Sequence, residues 1–207
     1  ILMVRIDADE VRQICPGYEG HNAHLFQEAA TLAGEIAKEQ VVGDPRGERT
    51  TMGPLVSRRQ KDTVLGFIQN GIEEGATLIE GGAQEPEGLS RGYYVRPTIF
   101  SDVHNDMAIA REEIFGPVLC IMAYDTLEEA IEIANDSDYG LSSAVFARSV
   151  DEALPIARRL KAGQCYLQGA EFSFDAPFGG YKLSGNGREW GDEGLLEYAE
   201  TKALLGA

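Results

Sequence analysis

Cysteine is scarce in this sequence, and its spacing excludes a disulfide framework. The 207 residues contain three cysteines, at positions 15, 120 and 165. Their number is odd, and no two have the CxxC spacing of redox or zinc motifs. Residues 1–12 also lack the charged, apolar and small-residue order of a signal peptide. We therefore expect a protein of the reducing cytoplasm.

Basic residues are few relative to acidic ones. Lysine and arginine number 18 against 34 for aspartate and glutamate, which gives a formal net charge of −16. Such an excess repels phosphate backbones and anionic lipid. No apolar run approaches the roughly 20 residues that span a bilayer. The composition thus predicts that neither a nucleic acid nor a membrane is a partner.

Familiar phosphate and metal motifs are missing as well. The sequence has no GxGxxG segment after a strand and no P-loop of the form GxxxxGK followed by Ser or Thr. His21 and His24 are three residues apart, but no cysteine or carboxylate completes a convincing ligand set around them. We interpret both as solvated loop residues and predict no metal site.

What the sequence does contain is an alternation of helical and strand patterns. Leu25, Ala29, Leu32 and Ile36 form one apolar stripe at helical spacing. Capping boxes that mark helix starts follow at Ser57–Gln60, Thr126–Glu129 and Ser149–Glu152. Apolar or β-branched runs predict strands at 1–6, 77–80, 93–100, 118–124, 141–146, 164–168 and 201–205.

This alternation predicts an α/β fold. The connections between strands are too long for hairpins, which favours right-handed crossovers and a mostly parallel sheet flanked by helices. No segment forms a linker long enough to separate two domains. We therefore predict a single domain over residues 1–207 that ends in a tail strand within residues 198–207.

One segment, residues 111–118, combines two carboxylates, an aromatic ring and a Gly-Pro turn before a predicted strand. A carboxylate at the mouth of a strand can accept hydrogen bonds from a sugar diol, and a neighbouring aromatic side chain can stack on a flat ring. The alternative is an exposed acidic turn with Phe115 in the core. The residues alone leave both interpretations open.

A second segment, residues 177–189, is rich in glycine. Five of the eleven residues from Pro177 to Gly187 are glycine or proline, which lets the backbone approach another group closely. Phe172, Phe174 and Phe178 lie nearby and argue against full solvation. A functional loop and a flexible surface loop are the two interpretations.

Together these segments resemble the aldehyde dehydrogenase superfamily. Residues 112–118 are similar to its EEIFGPV motif, and residues 176–185 are similar to its PFGGxKxSG motif. Four further segments follow the order of the family, at 42–45, 52–55, 92–98 and 135–142. The resemblance covers roughly residues 40–207, and six motifs in the right order make it specific.

The resemblance implies the C-terminal catalytic domain of an enzyme that oxidises aldehydes to acids with NAD or NADP. In the family, a cysteine thiolate attacks the carbonyl, a hydride leaves for the nicotinamide, and a glutamate-activated water hydrolyses the thioester. By motif match, Glu113 would hold the nicotinamide-side ribose and Phe115 would pack beside it. Phe178, together with Phe172, would line the aldehyde pocket. The strand at 201–205 resembles the tail through which the subunits of a homo-oligomer pair.

The sequence also departs from the family. Members are more than twice as long, and the cofactor domain, which carries the glutamate base, is expected to be absent here. Cys15 is the nearest match to the nucleophile of the GQxC motif, but Arg12 replaces the glycine, and residues 1–40 form an atypical amino end. Cys15 is therefore either the thiol nucleophile or an unactivated cysteine. We expect Cys120 and Cys165 to be core residues, and Gln168 stands where the family usually has asparagine.

Three functions remain open at this point. The first is the catalytic-domain portion of an aldehyde dehydrogenase, inactive as an isolated chain and completed by a cofactor domain. The second is a thiol esterase, which needs Cys15 and an oxyanion donor but no dinucleotide. The third is a non-catalytic module that associates with copies of itself by edge pairing of the last strand.

Overall fold

The structure, a computed structural model, describes residues 23–206. Cys15, His21 and the strand predicted at 1–6 lie outside the described residues. The chain forms two compact units, the first ending at Ala130 and the second beginning at Ile131. The prediction of a single domain stays a prediction. No helix within residues 23–206 is long and apolar enough to cross a membrane.

The first unit is built around a three-stranded sheet. The central strand β2 (Thr98–Ser101) pairs in antiparallel fashion with β1 (Thr77–Glu80) and in parallel with β3 (Val118–Cys120), so that Ile99 lies beside Leu119. Pro97 immediately precedes β2, as expected for a residue that cannot donate to the ladder. In chain order the elements are α1 (Ala23–Glu39), α2 (Arg58–Glu73), β1 (Thr77–Glu80), β2 (Thr98–Ser101), α3 (Ala108–Arg111) and β3 (Val118–Cys120), followed by the start of α4 (Leu127–Asn135).

Helix α1 packs on this sheet through small residues, and the predicted apolar stripe is wrong. Leu32 and Ile36 are 54% and 52% exposed. A side chain added at Gly34 would place its Cβ 2.8 Å from Cγ2 of Ile79, so only a face of small residues can approach the strand this closely. The buried residues of this contact are Ala30, Ala37, Ile99 and Ile121.

Helix α2 begins where its capping box predicts. The Ser57 hydroxyl oxygen accepts a hydrogen bond from the backbone N–H of Gln60 at 3.1 Å. Val64 and Ile68, one turn apart, are fully buried. The helix therefore packs on a second cluster of core residues, separate from the one beneath α1. Besides Val64 and Ile68, this cluster contains Ala76, Val95, Phe100, Val103, Met107, Ile109, Ala110 and Ile114.

The second unit contains two strand pairs and two further helices. Strands β5 (Ser142–Val145) and β6 (Gln164–Leu167) are parallel, and strands β4 (Tyr139–Gly140) and β7 (Tyr181–Lys182) are antiparallel. Its elements after α4 are β4 (Tyr139–Gly140), β5 (Ser142–Val145), α5 (Val150–Ala157), β6 (Gln164–Leu167), β7 (Tyr181–Lys182) and α6 (Gly191–Leu196). The α/β class that the sequence predicts is confirmed.

The carboxyl-terminal tail differs from its sequence prediction within this single chain. Residues 201–206 form no strand, and Leu204 and Leu205 are 78% and 94% exposed. A strand needs a neighbouring edge to accept its hydrogen bonds. Pairing of the tail with a second copy therefore stays a prediction.

Candidate functional site

The segment that carries the two carboxylates forms a loop between α3 and β3. Glu113 is exposed, and Phe115 is 74% exposed. Ile114, between them, is the residue that enters the core. The interpretation that placed Phe115 in the core is therefore wrong. A carboxylate and an aromatic side chain two residues apart are therefore both accessible to a ligand.

The backbone of Phe115 is strained. Its φ is +50°, in the left-handed region that residues with a Cβ rarely adopt. Strained residues concentrate at ligand-binding and catalytic positions, because the surrounding structure must hold them there. An exposed aromatic ring on a strained backbone is thus a stronger functional signal than exposure alone.

Contacts from α2 and β2 hold this loop in place. The side-chain nitrogen of Gln60 donates to the carbonyl oxygens of Ile114 and Phe115, at 2.9 and 3.1 Å. A Cβ on Gly116 would lie 2.5 Å from Cγ2 of Val64, so the loop backbone rests directly on the helix. On the other side, the carbonyl of Pro117 accepts from the N–H of Thr98 at 2.8 Å.

Four aromatic rings cluster in the second unit. Phe172, Phe174 and Phe178 each contact Trp190, with ring centroids 4.8, 5.1 and 4.8 Å from it. Phe172 and Phe174 also meet edge to face, at 4.9 Å. Phe174 is 68% exposed and Phe172 46%. The two predicted pocket residues, Phe172 and Phe178, therefore belong to one partly exposed apolar cluster.

Trp190 is the residue that sequence reasoning missed. It is the only tryptophan of the sequence. Its backbone has φ 62° and ψ 169°, a conformation found almost only in glycine. The one signal in the sequence was the rarity of the residue itself, next to the glycine-rich segment.

The glycine-rich segment is held by its own backbone. Phe178 and Glu189 exchange two N–H to carbonyl hydrogen bonds, both of 2.7 Å. Gly179 and Gly180, which follow Phe178 in the chain, are buried. The guanidinium of Arg188 donates to the carbonyl of Gly180 at 3.0 Å and lies 5.6 Å from the ring of Tyr181. This network fixes Phe178 at the edge of the aromatic cluster.

Lys182 and Ser184 of this segment stabilise the second unit. The Lys182 ammonium donates to backbone carbonyls of Asn135 and Ser137. The Ser184 hydroxyl oxygen accepts from the N–H of Gly140 at 3.1 Å. Much of the PFGGxKxSG resemblance therefore reflects structural contacts, and within it Phe178 is the candidate for contact with a ligand.

Gln168 closes the end of the parallel β5–β6 pair. Its side-chain oxygen accepts from the N–H of Ala147 at 2.6 Å, and its side-chain nitrogen donates to the carbonyl of the same residue. Its φ is +51°. The departure from asparagine at this position thus has a structural role in this chain.

The two described cysteines pack against hydrophobic cores. Burial raises the pKa of the Cys120 thiol from an ordinary 9.0 to about 11, and its sulfur lies 3.5 Å from the carbonyl oxygen of Ile109. Cys165 packs against the core of the second unit. Both fit the expected core role. Cys15, the candidate nucleophile, lies outside the described residues.

Within residues 23–206, no three histidine, cysteine or carboxylate side chains are grouped so that they could hold a metal ion. The structure places Glu113 and Phe115 in the first unit and Phe172 and Phe178 in the second. Each unit therefore contains one of the two candidate ligand-binding features.

Comparison with known proteins identifies the family. The aldehyde dehydrogenase family matches residues 23–204, so the similarity begins earlier than the predicted residue 40. The chain is 54% identical over 181 residues to a 3-succinoylsemialdehyde-pyridine dehydrogenase from Pseudomonas sp., a match that covers 87% of this chain and 38% of that relative.

Solved structures agree. Aldehyde dehydrogenase C from Pseudomonas syringae, a mutant bound to NAD+ and octanal, is 48% identical with a TM-score of 0.85, and the match covers 88% of this chain and 38% of that one. An aldehyde dehydrogenase from Mycobacterium tuberculosis bound to NAD+ is 42% identical with a TM-score of 0.84, and the match covers 89% of this chain and 38% of that one. The chain thus spans little more than a third of the length of these proteins. It belongs to the aldehyde dehydrogenase family.

Proposed function

We propose that this chain is the catalytic-domain portion of an NAD(P)-dependent aldehyde dehydrogenase, which oxidises an aldehyde to a carboxylic acid. The observation that carries the proposal is the loop at 112–118, where a strained backbone presents Glu113 and Phe115 to solvent. Family membership and the NAD+ bound in two similar structures support it.

The residues of the loop suit a nicotinamide cofactor. The exposed Glu113 carboxylate has acceptor oxygens for the two hydroxyls of a ribose. The exposed face of Phe115 offers an apolar surface for the sugar and the flat ring beside it. When bound, the cofactor supplies the hydride acceptor. The chain's own contribution here is to bind and orient it.

On the aldehyde side, the aromatic cluster supplies an apolar wall. Phe178, Phe172 and the more exposed Phe174 surround Trp190 and favour an apolar aldehyde chain. Cys15 is the proposed nucleophile: its thiolate would add to the carbonyl carbon, and transfer of a hydride from that carbon to bound NAD(P)+ would convert the resulting oxyanion into a thioester. Hydrolysis of the thioester by water releases the acid and restores the thiol.

Trp190 allows a direct test of aldehyde binding, because the sole tryptophan lies in the proposed pocket. Titration of the chain with octanal should change tryptophan fluorescence in a saturable manner. Phe178→Leu should weaken this binding about fivefold, the effect of losing roughly 1 kcal/mol of aromatic contact. The matched control is Phe146→Leu, an exposed phenylalanine of the same unit outside the cluster, which should bind like the unmodified chain. An unsaturable response would contradict the proposed pocket.

A second assay tests turnover. The chain spans about 38% of the relatives' length, so we expect no NAD+ reduction when octanal and NAD+ are added to it alone. Reduction at rates ordinary for the family would contradict that expectation. A chromogenic ester assay on the unmodified chain and Cys15→Ser addresses the esterase alternative, since equal rates would exclude Cys15.

The tail supports self-association as a second candidate function. Five large apolar side chains near the carboxyl end are at least two-thirds exposed: Leu195, Leu196, Tyr198, Leu204 and Leu205. A homo-oligomer would bury them, and an edge strand at 201–205 would gain backbone hydrogen bonds. Sedimentation should show a smaller assembly when residues 199–207 are deleted. An unchanged mass would contradict this assembly mode.

A further inference from the structure

The side chain of Gln60 links the start of α2 to the candidate cofactor loop. As the last residue of its capping box, at helix position N3, Gln60 is expected to act within the first turn of its own helix. Its side-chain nitrogen instead donates to the carbonyl oxygens of Ile114 and Phe115, 54 and 55 residues along the chain. The motif that begins the helix therefore also supports the loop.

The two accepting carbonyls lie on either side of one Cα atom. The carbonyl of Ile114 belongs to the peptide group before Phe115, and the carbonyl of Phe115 belongs to the peptide group after it. A single amide group thus fixes the orientation of both peptide planes, and with them the φ and ψ of Phe115. This is the residue whose φ of +50° is unfavourable in the absence of such support.

Two further features make the Gln60 contact specific. Val64, one turn further along α2, lies so close to Gly116 that a Cβ there would be 2.5 Å from its Cγ2. The loop backbone therefore has little space in which to relax toward the helix. Ile114, the residue before Phe115, is buried in the core and so holds the loop on the amino-terminal side of Phe115.

We propose that Gln60 is a positioning residue, which holds Phe115 in its strained conformation with the ring exposed for a nicotinamide cofactor. The proposal rests on the proposed function for the identity of the ligand. Gln60 acts through the backbone of Phe115 and is assigned no contact with the cofactor itself.

Hydrogen exchange measured by mass spectrometry tests the positioning. Gln60→Leu and the isosteric Gln60→Glu both lack the amide donors. In each, amide exchange in the peptide covering 112–118 should accelerate about fivefold or more, because both hydrogen bonds from the side chain of residue 60 to the loop are lost. Gln69→Leu is the matched control. Gln69 is an exposed glutamine of the same helix, and its side-chain nitrogen donates to the carboxylate of Glu73, one turn along that helix, at 2.9 Å.

Binding of NADH, followed by its fluorescence, tests the consequence. If the unmodified chain binds NADH, Gln60→Leu and Gln60→Glu should raise the dissociation constant about fivefold, and Gln69→Leu should leave it unchanged. The chain spans about 38% of its relatives' length, so the exchange experiment, which needs no cofactor, decides the positioning whether or not the unmodified chain binds NADH. Equal exchange at 112–118 in the Gln60 variants and in Gln69→Leu, with all chains folded by circular dichroism, would overturn the proposal.

Discussion

The Lys182 ammonium lies 2.8 Å from the carbonyl oxygen of Asn135, the last residue of α4. It also donates to the carbonyl of Ser137 at 2.7 Å. The last carbonyls of a helix lack partners within the helix, and a cation there also meets the negative end of the helix dipole. The glycine-rich segment therefore closes α4 from a distance of 47 residues in sequence.

Lys182→Met should lower the free energy of unfolding by about 1–3 kcal/mol, because it removes two charge-assisted hydrogen bonds and leaves the carbonyls of Asn135 and Ser137 unpaired. Urea unfolding followed by circular dichroism measures the change. Lys202→Met, at an exposed lysine of the tail, is the control and should have little effect. Equal stability of the two variants would contradict the capping role.

Two glycines of the same segment should respond differently to alanine. A Cβ on Gly179 would overlap the carbonyl oxygen of Gly187 and lie 2.8 Å from a guanidinium nitrogen of Arg188. Gly179→Ala should therefore destabilise the chain by about 1–3 kcal/mol. Gly187 has open space around its Cβ position, so Gly187→Ala should change stability by less than about 1 kcal/mol. Thermal unfolding distinguishes them, and similar losses in both would contradict this packing.

The Cys120 thiol should be unreactive toward iodoacetamide at pH 8. Its pKa is raised to about 11, so almost none of it is thiolate at that pH. Its modification, mapped by mass spectrometry, should become rapid only after unfolding in urea. Rapid alkylation of Cys120 in the folded chain would show that the thiol is accessible and ionised.

The same shift has a consequence for stability. The thiol ionises more readily in the unfolded chain, near its ordinary value of 9.0, than in the folded chain. The contribution of this thiol to the free energy of unfolding is therefore fully present below about pH 9, and it is lost as the pH rises toward about 11. Cys120→Ala should reduce the loss of stability in that window, which urea unfolding at pH 8 and pH 10 measures.

Lys61 and Glu85 form an asymmetric ion pair. The lysine side chain is 9% exposed, the glutamate side chain 57%, and their charged atoms are 2.9 Å apart. Glu85→Ala should cost about 1–2 kcal/mol, since it leaves a buried ammonium without its partner. Lys61→Met should lower the free energy of unfolding by less than about 1 kcal/mol, because methionine keeps an aliphatic chain in the place where the CH₂ groups of the lysine are packed. The double variant should resemble Lys61→Met; a double variant as unstable as Glu85→Ala would contradict this asymmetry.

The helix starts were predictable because their determinants are local. Ser57, Thr126 and Ser149 each accept a hydrogen bond from the backbone N–H three residues later, as their capping boxes predict. Gly75 follows the end of α2 with a φ of +97°, as expected for a glycine that closes a helix. Such contacts involve one turn of chain and need no tertiary partner.

The buried face of α1 was not predictable in the same way. The apolar stripe through Leu32 and Ile36 satisfies helical periodicity as well as the face through Ala30 and Ala37 does. The close approach of Gly34 to Ile79 selects the second face, and that approach depends on how the helix lies on the sheet. Strand ends were equally hard to predict: the strand expected at 118–124 extends only over Val118–Cys120.

The sequence by itself determined the α/β class, the helix starts and the family resemblance, because periodicity, caps and motif order are properties of neighbouring residues. Only the tertiary structure decided that Ile114 enters the core while Phe115 is exposed, and that Trp190 joins three phenylalanines in one cluster. Both outcomes depend on backbones with positive φ at Phe115 and Trp190. Such conformations persist only where contacts from residues distant in sequence support them, as Gln60 does for Phe115.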